Sequence, residues 1–128
     1  MNTFFRSRVL SFQHAFAGWW FVIRTQKNAW IHALVSVVVI GMCFWLGIDT
    51  LQWALIIVAI AMVWTSEFIN TALEAVVDLA SQHEYHVLAR VGKDVGAAAV
   101  LIAAFSSILI GLLVLGPPLW QRILIMVR

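Results

Sequence analysis

The residues of this sequence best suited to chemistry are three carboxylates and an amide that follow an uncharged apolar stretch. The stretch is the thirteen-residue segment from Leu51 to Val63, and the polar residues are Glu67, Asn70, Glu74 and Asp78. Their spacings of +3, +4 and +4 place them on one face of a helix, as a polar stripe about 16 Å long. Carboxylates at membrane depth are costly unless they are paired or functional, so the stripe predicts a functional site. The alternative to a functional role is a structural one, in which these side chains form hydrogen bonds between helices. This structural role is favoured for Asp78.

Carboxylates on a basic membrane surface can support phosphoryl transfer. One carboxylate can bind a divalent cation, another can accept a proton from a hydroxyl group, and a nearby lysine can neutralise phosphate. Lys93, beside Asp94, supplies such a positive charge, although an interfacial lysine that only extends to the membrane surface is the alternative. The sequence contains neither a P-loop nor the protein-kinase motifs, so a kinase here would be of another kind.

The elements that position these residues are predicted to be membrane helices. The chain is 63% apolar and only 11% charged, which is typical of a membrane protein. Three segments approach or exceed the ~20 residues that span a bilayer: 30–48, 51–77 and 95–115, of which the second continues beyond the membrane. We therefore predict an all-α membrane protein with one domain over residues 1–128.

The first 27 residues have the pattern of an amphipathic helix at the membrane surface. On a helical wheel one face collects Phe5, Val9, Phe12, Phe16, Trp19, Trp20 and Ile23, and the remainder carries Arg6, Gln13, His14 and Arg24. This separation predicts a surface helix over residues 1–27. No apolar run long enough for a secretory signal lies within it.

Turn residues and basic residues predict the topology. "GIDT" after the first span indicates a tight turn, and "GPP" at 116–118 is expected to end the third helix. Six of the eight lysines and arginines precede the first span or lie between the second and third, while only Arg122 and Arg128 flank the opposite side. This distribution predicts a cytoplasmic N-terminus. The excess of basic over acidic residues thus reflects membrane topology, and we expect no nucleic-acid partner.

Small residues recur every four positions along the third span, at Ala99, Ala103, Ser107 and Gly111. In a membrane such a ladder allows another helix to approach closely. Cys43, the only cysteine, is expected to be apolar filler within the first span.

Two consecutive motifs resemble a known family. "ExxNTAxExVVD" at 67–78 and "EYHxLxxxxKDxxxAAVL" at 84–101 are similar to the small integral-membrane diacylglycerol kinases of bacteria, which include undecaprenol kinases, and the resemblance extends from about Ser11 to Leu115. It implies a surface helix plus three spans in the bacterial inner membrane, assembled as a homotrimer with active sites between subunits. It also implies ATP and Mg²⁺ as phosphoryl donor and cofactor, and diacylglycerol or undecaprenol as the acceptor.

The resemblance also implies roles for individual residues. Glu67 would bind the lipid hydroxyl and deprotonate it, Glu74 would hold magnesium and the phosphates, and Asn70 would orient them. The nucleotide site would be completed by Lys93, Asp94, Glu84, Tyr85, His86 and His14. For His14 the alternative is a solvent-exposed histidine with no role in binding. His32 and His83 are expected to have no direct role.

Gln26 departs from the family pattern. The best-known members carry a glutamate here that joins the glutamate of the second helix in binding magnesium. Gln26 offers only a neutral oxygen, so its role as a metal and nucleotide ligand stays open.

An oligomeric proton or cation pathway, lined by the carboxylates, is the alternative function. A pathway predicts that the polar stripe continues through the membrane, yet the segment from Leu51 to Val63 offers only Gln52. An interfacial lipid kinase is therefore favoured.

Overall fold

The structure is a computed structural model that describes residues 3–82 and 84–127, without the side chains of residues 3 and 4. These residues form four helices, α1 (Thr3–Thr25), α2 (Lys27–Leu46), α3 (Thr50–Ser81) and α4 (Val87–Met126), and no strand. The last three are long and apolar enough to cross a membrane. The predicted all-α fold with an N-terminal helix and three spans is confirmed. His83 and Arg128 lie outside the described residues.

The longest interhelical interface joins α3 and α4, which run antiparallel. At one end the Lys93 ammonium pairs with Asp78, and in the middle the Ser107 hydroxyl donates to the Ala59 carbonyl over 2.9 Å. Gly96, between these points, faces Asn70. Small residues on α4 therefore let α4 approach the polar stripe of α3 closely.

The helix α4 does not end at "GPP" as the sequence predicts, because it continues through Pro117 and Pro118 to Met126. Pro118 lacks an N–H and cannot donate to the Val114 carbonyl one turn earlier. The Gln52 side chain of α3 supplies a donor instead, with Nε2 3.5 Å from the Val114 oxygen. Such a replacement donor lets a membrane helix tolerate proline.

The turn between α2 and α3 is tight, as predicted. Gly47 ends α2 in the left-handed conformation, with φ 64°, and its N–H donates to the Cys43 and Phe44 carbonyls. Asp49 caps α3 by accepting from the Gln52 N–H, while the Gln52 side chain accepts from the Asp49 N–H. Cys43 is fully buried near this turn.

The small-residue ladder of α4 is divided between two surfaces. Ala103 and Ser107 pack towards α3, with Ala103 buried. Ala99 is exposed, and a Cβ atom at Gly111 would have no packing neighbour within 4 Å among the described residues. Half of the ladder is therefore used within the chain, and the other half remains on its surface.

The helix α1 meets α2 at one extended residue, Gln26. The Trp19 ring of α1 stacks on Trp64 of α3 with centroids 4.9 Å apart, and it also contacts Phe68 at 5.2 Å. These contacts hold α1 against the part of α3 that begins the polar stripe.

Candidate active site

The polar stripe of α3 is largely covered by the other helices. Glu67 is 1% exposed and Asn70 is 7% exposed, while Glu74 and Asp78 are half-buried. Each of these side chains has neighbours from a different part of the chain. The stripe thus forms three adjoining groups, built around Glu74, Glu67 and Asp78.

The first group consists of the Glu74 carboxylate and two amides. The Asn70 amide, one turn earlier on α3, donates to Glu74 Oε1 over 3.0 Å. The Gln26 amide donates to Glu74 Oε2 over 3.3 Å. Gln26 can reach Glu74 because it lies at the break between α1 and α2 and its side chain caps neither helix.

Gly96 closes this group from α4. A Cβ atom at Gly96 would overlap Asn70 Oδ1 and would lie 3.1 Å from Leu73 Cδ2. Asn70 Oδ1 is itself buried and has no hydrogen-bond partner within the described chain. The absence of a side chain at Gly96 therefore allows Asn70 to hold its position beside Glu74.

The second group is a pair between Glu67 and His32 of α2. Glu67 Oε2 lies 3.8 Å from His32 Nε2, and both atoms are buried without a hydrogen bond to any described residue. Sequence reasoning assigned no direct role to His32. The available signal was that His32 alone interrupts the apolar segment 30–48, but its distance in sequence from Glu67 concealed the pairing.

The third group surrounds an ion pair between Asp78 Oδ1 and Lys93 Nζ at 2.5 Å. A pocket of about 440 Å³ opens beside it and is lined by Asp78, Ser81, Glu84, Tyr85, His86, Ala89, Arg90 and Lys93. His86 caps α4, since its Nδ1 accepts from the Leu88 N–H at 3.2 Å. The "EYH" residues and Lys93, which lie in separate parts of one sequence motif, thus meet in one pocket that carries both acidic and basic side chains.

Two predicted site residues lie apart from these groups. Asp94 is exposed and pairs with Arg90 at 3.7 Å rather than with Lys93. His14 is exposed on α1, twelve positions before Gln26, which corresponds to about 18 Å along a helix. Within one chain, therefore, neither residue joins Glu74.

The residues around Glu74 fit a magnesium ion that arrives with nucleotide phosphates. Among the described residues no three His, Cys, Asp or Glu side chains cluster as metal ligands. Magnesium is commonly held by one or two carboxylates together with substrate phosphates. Glu74 provides one carboxylate, and the Asn70 and Gln26 amides can turn their oxygens towards the same point.

An apolar groove of about 610 Å³ lies beside the second group. Its lining includes Trp19, Trp64 and Phe68, together with Ile56 and Ile60 of α3. Trp64 separates the groove from the buried pair, since its ring meets the His32 ring edge-on with centroids 6.3 Å apart. The arrangement can therefore hold a hydrocarbon chain close to a carboxylate, a chemistry suited to a lipid.

Comparison with known proteins identifies related sequences. The sequence model of the prokaryotic diacylglycerol kinase family matches residues 13–115. A diacylglycerol kinase of Synechocystis is 39% identical over 111 residues, which cover 87% of this chain and 63% of that protein. An undecaprenol kinase of Bacillus subtilis is 36% identical over 93% of both chains. A diacylglycerol kinase of Escherichia coli is 42% identical over 65 residues, 51% of this chain and 52% of that protein.

Proposed function

The chain belongs to the prokaryotic diacylglycerol kinase family, and we propose that it transfers the γ-phosphate of ATP to the hydroxyl group of diacylglycerol or undecaprenol. The observation that carries the proposal is the order of groups along α3. A buried carboxylate, Glu67, lies on α3 between Trp64 and Phe68, which line an apolar groove. The Glu74 carboxylate follows along α3, and the pocket between Asp78 of α3 and Lys93 of α4 comes after it. Acceptor, phosphate and nucleotide thus have adjoining sites.

Glu67 acts as the general base in this proposal. The lipid hydroxyl gives its proton to the Glu67 carboxylate, its oxygen forms a bond to the γ-phosphorus, and the bond from that phosphorus to the departing ADP oxygen breaks. The near-complete burial of Glu67 supports this role, because it keeps water from competing with the lipid as acceptor.

Glu74 binds the metal–nucleotide complex, with Asn70 and Gln26 beside it. Magnesium, when bound, neutralises the phosphate oxygens on which negative charge accumulates. The Lys93 ammonium exchanges its partner Asp78 for a phosphate, and Asp94 completes the site. The pocket at Glu84, Tyr85 and His86 holds the nucleoside, and His14 supplies a further contact from α1.

The exposed half of the α4 ladder supports assembly with other copies of the chain. Ala99 and Gly111 leave room for a neighbouring helix, and small residues favour helix association in lipid because they let the helices pack closely. We propose a homotrimer in the bacterial inner membrane with its N-terminus in the cytoplasm. Residues that lie apart within one chain, Asp94 and His14, can then reach the site of a neighbouring subunit.

Transfer of labelled phosphate tests this function. Purified protein in lipid nanodiscs is given ATP labelled at the γ-position and Mg²⁺, with diacylglycerol or undecaprenol in parallel samples. We expect a labelled phospholipid from at least one alcohol and an equal amount of ADP. A protein that leaves both alcohols unlabelled but dissipates a proton or cation gradient in vesicles would instead support the pathway function.

A further inference from the structure

Two buried polar atoms, Glu67 Oε2 and His32 Nε2, face each other without forming a hydrogen bond. Their separation of 3.8 Å exceeds the range of a hydrogen bond. Neither atom has another partner among the residues that the structure describes. Buried polar atoms nearly always have a partner, so this pair provides two unused bonding positions directed at one point.

An alcohol oxygen satisfies both atoms at once. An oxygen about 2.8 Å from each, the usual hydrogen-bond length, forms a triangle on the 3.8 Å line that joins them. A hydroxyl group donates one hydrogen and accepts others. It can therefore donate to the Glu67 carboxylate and accept from His32, provided that the imidazole carries its hydrogen on Nε2.

We propose that His32 is a substrate-binding residue whose Nε2–H donates to the lipid hydroxyl oxygen that Glu67 deprotonates. This inference rests on the proposed lipid kinase function. The proton moves from the hydroxyl to Glu67, the hydroxyl oxygen forms its bond to the γ-phosphorus, and ADP leaves. His32 keeps its proton throughout. Its hydrogen bond fixes one lone pair of the oxygen, so that the other is directed at the phosphate.

The surroundings of His32 connect this position to the apolar groove. The Trp64 ring contacts the His32 ring on one side and lines the groove on the other. Trp64 Nε1 also donates to Ser36 Oγ over 3.2 Å, one helical turn beyond His32. A lipid whose chain lies in the groove can thus bring its hydroxyl to the pair when the indole moves aside.

Substitutions that differ in hydrogen-bonding ability test the proposal. His32→Gln keeps an N–H donor near the position of Nε2, whereas His32→Leu keeps comparable bulk without a donor; His32→Met serves where the leucine variant does not fold. Ser36→Ala is the control for loss of a nearby polar group, because the Ser36 hydroxyl lies one turn along α2, donates to the His32 backbone carbonyl and accepts from Trp64, but has no hydrogen bond to Glu67. Each protein is placed in detergent micelles without ATP.

The measurement is the affinity for a short-chain diacylglycerol and for the analogue in which hydrogen replaces the hydroxyl group, and for a short polyprenol and its matching hydrocarbon. The affinity for each of these four ligands is obtained from its displacement of a fluorescent lipid. We expect wild type, His32→Gln and Ser36→Ala to prefer the alcohol. His32→Leu should lose about 10-fold or more of that preference, the usual effect of removing a hydrogen bond to a buried polar group.

Kinetics provide a second measurement. His32→Leu should lower kcat/KM for the lipid about 10- to 100-fold while the KM for MgATP stays unchanged, and His32→Gln should recover most of the loss. An unchanged alcohol preference in His32→Leu overturns the proposal. Equal losses in the glutamine and leucine variants also overturn it, because His32 would then act only as a counter-charge to Glu67. Failure of wild type to transfer phosphate refutes the kinase function. The ratio of affinities for the alcohol and for its analogue without the hydroxyl group still tests the role of His32 in that case.

Discussion

Adding one methyl group at Gly96 should disturb the site through Asn70. In Gly96→Ala the new Cβ would overlap Asn70 Oδ1, lie 3.4 Å from Asn70 Cγ and lie 3.1 Å from Leu73 Cδ2. The Asn70 amide must therefore rotate away from α4. That rotation breaks its 3.0 Å hydrogen bond to Glu74 Oε1.

The size of the effect follows from three contributions. Replacing a helical glycine with alanine stabilises a helix by about 1 kcal/mol. Overpacking of a close contact costs about 1–3 kcal/mol, and the lost hydrogen bond to the Glu74 carboxylate contributes about 1.5–3 kcal/mol. We expect a net loss of about 1.5–5 kcal/mol in the free energy of unfolding, and about a tenfold increase in the KM for MgATP.

Gly92→Ala is the matched control, one turn earlier on the same face of α4. Its new Cβ would lie 3.5 Å from Val77 Cγ2, an ordinary van der Waals contact, so the gain in helix propensity should remain. The free energy of unfolding is measured by detergent denaturation in mixed micelles, and the KM by phosphate transfer. If Gly96→Ala proves as stable and as active as Gly92→Ala, then Asn70 is not held between α4 and Glu74.

Five further substitutions test other features of the molecule. Glu67→Gln should remove about 10²- to 10⁴-fold of transfer activity without changing the oligomer seen by crosslinking; near-normal turnover would contradict its role as base. Gln26→Glu should lower the Mg²⁺ concentration for half-maximal transfer at saturating ATP and lipid, and an unshifted titration would remove Gln26 from the metal site. Gln52→Leu should destabilise the fold by about 1–3 kcal/mol in mixed-micelle denaturation, because the Val114 carbonyl loses its donor and the Asp49 N–H loses its acceptor; unchanged stability would show that both hydrogen bonds are dispensable. Gly111→Leu should weaken oligomers in crosslinking, whereas the main effect of Ala103→Leu should be a lower stability of the single chain. If instead Gly111→Leu mainly destabilises the single chain and Ala103→Leu mainly weakens oligomers, the division of the α4 ladder is contradicted.

The sequence by itself determined the features that depend on neighbours along the chain. Apolar segment length predicted the three long helices, and the +3, +4 and +4 spacing predicted that Glu67, Asn70, Glu74 and Asp78 share one face. Gly47 and Asp49 predicted the tight turn. These features are local because a helix repeats every 3.6 residues whatever packs against it.

Only the tertiary structure decided which side chains from different helices meet. It placed His32 beside Glu67, Gln26 beside Glu74, and Lys93 beside Asp78 rather than its sequence neighbour. It also let α4 continue through two prolines, since Gln52, more than sixty residues away in sequence, replaced a missing donor. Each of these contacts depends on how closely and in what register α3 packs against the other helices, and that is a property of facing surfaces that no single helical pattern contains.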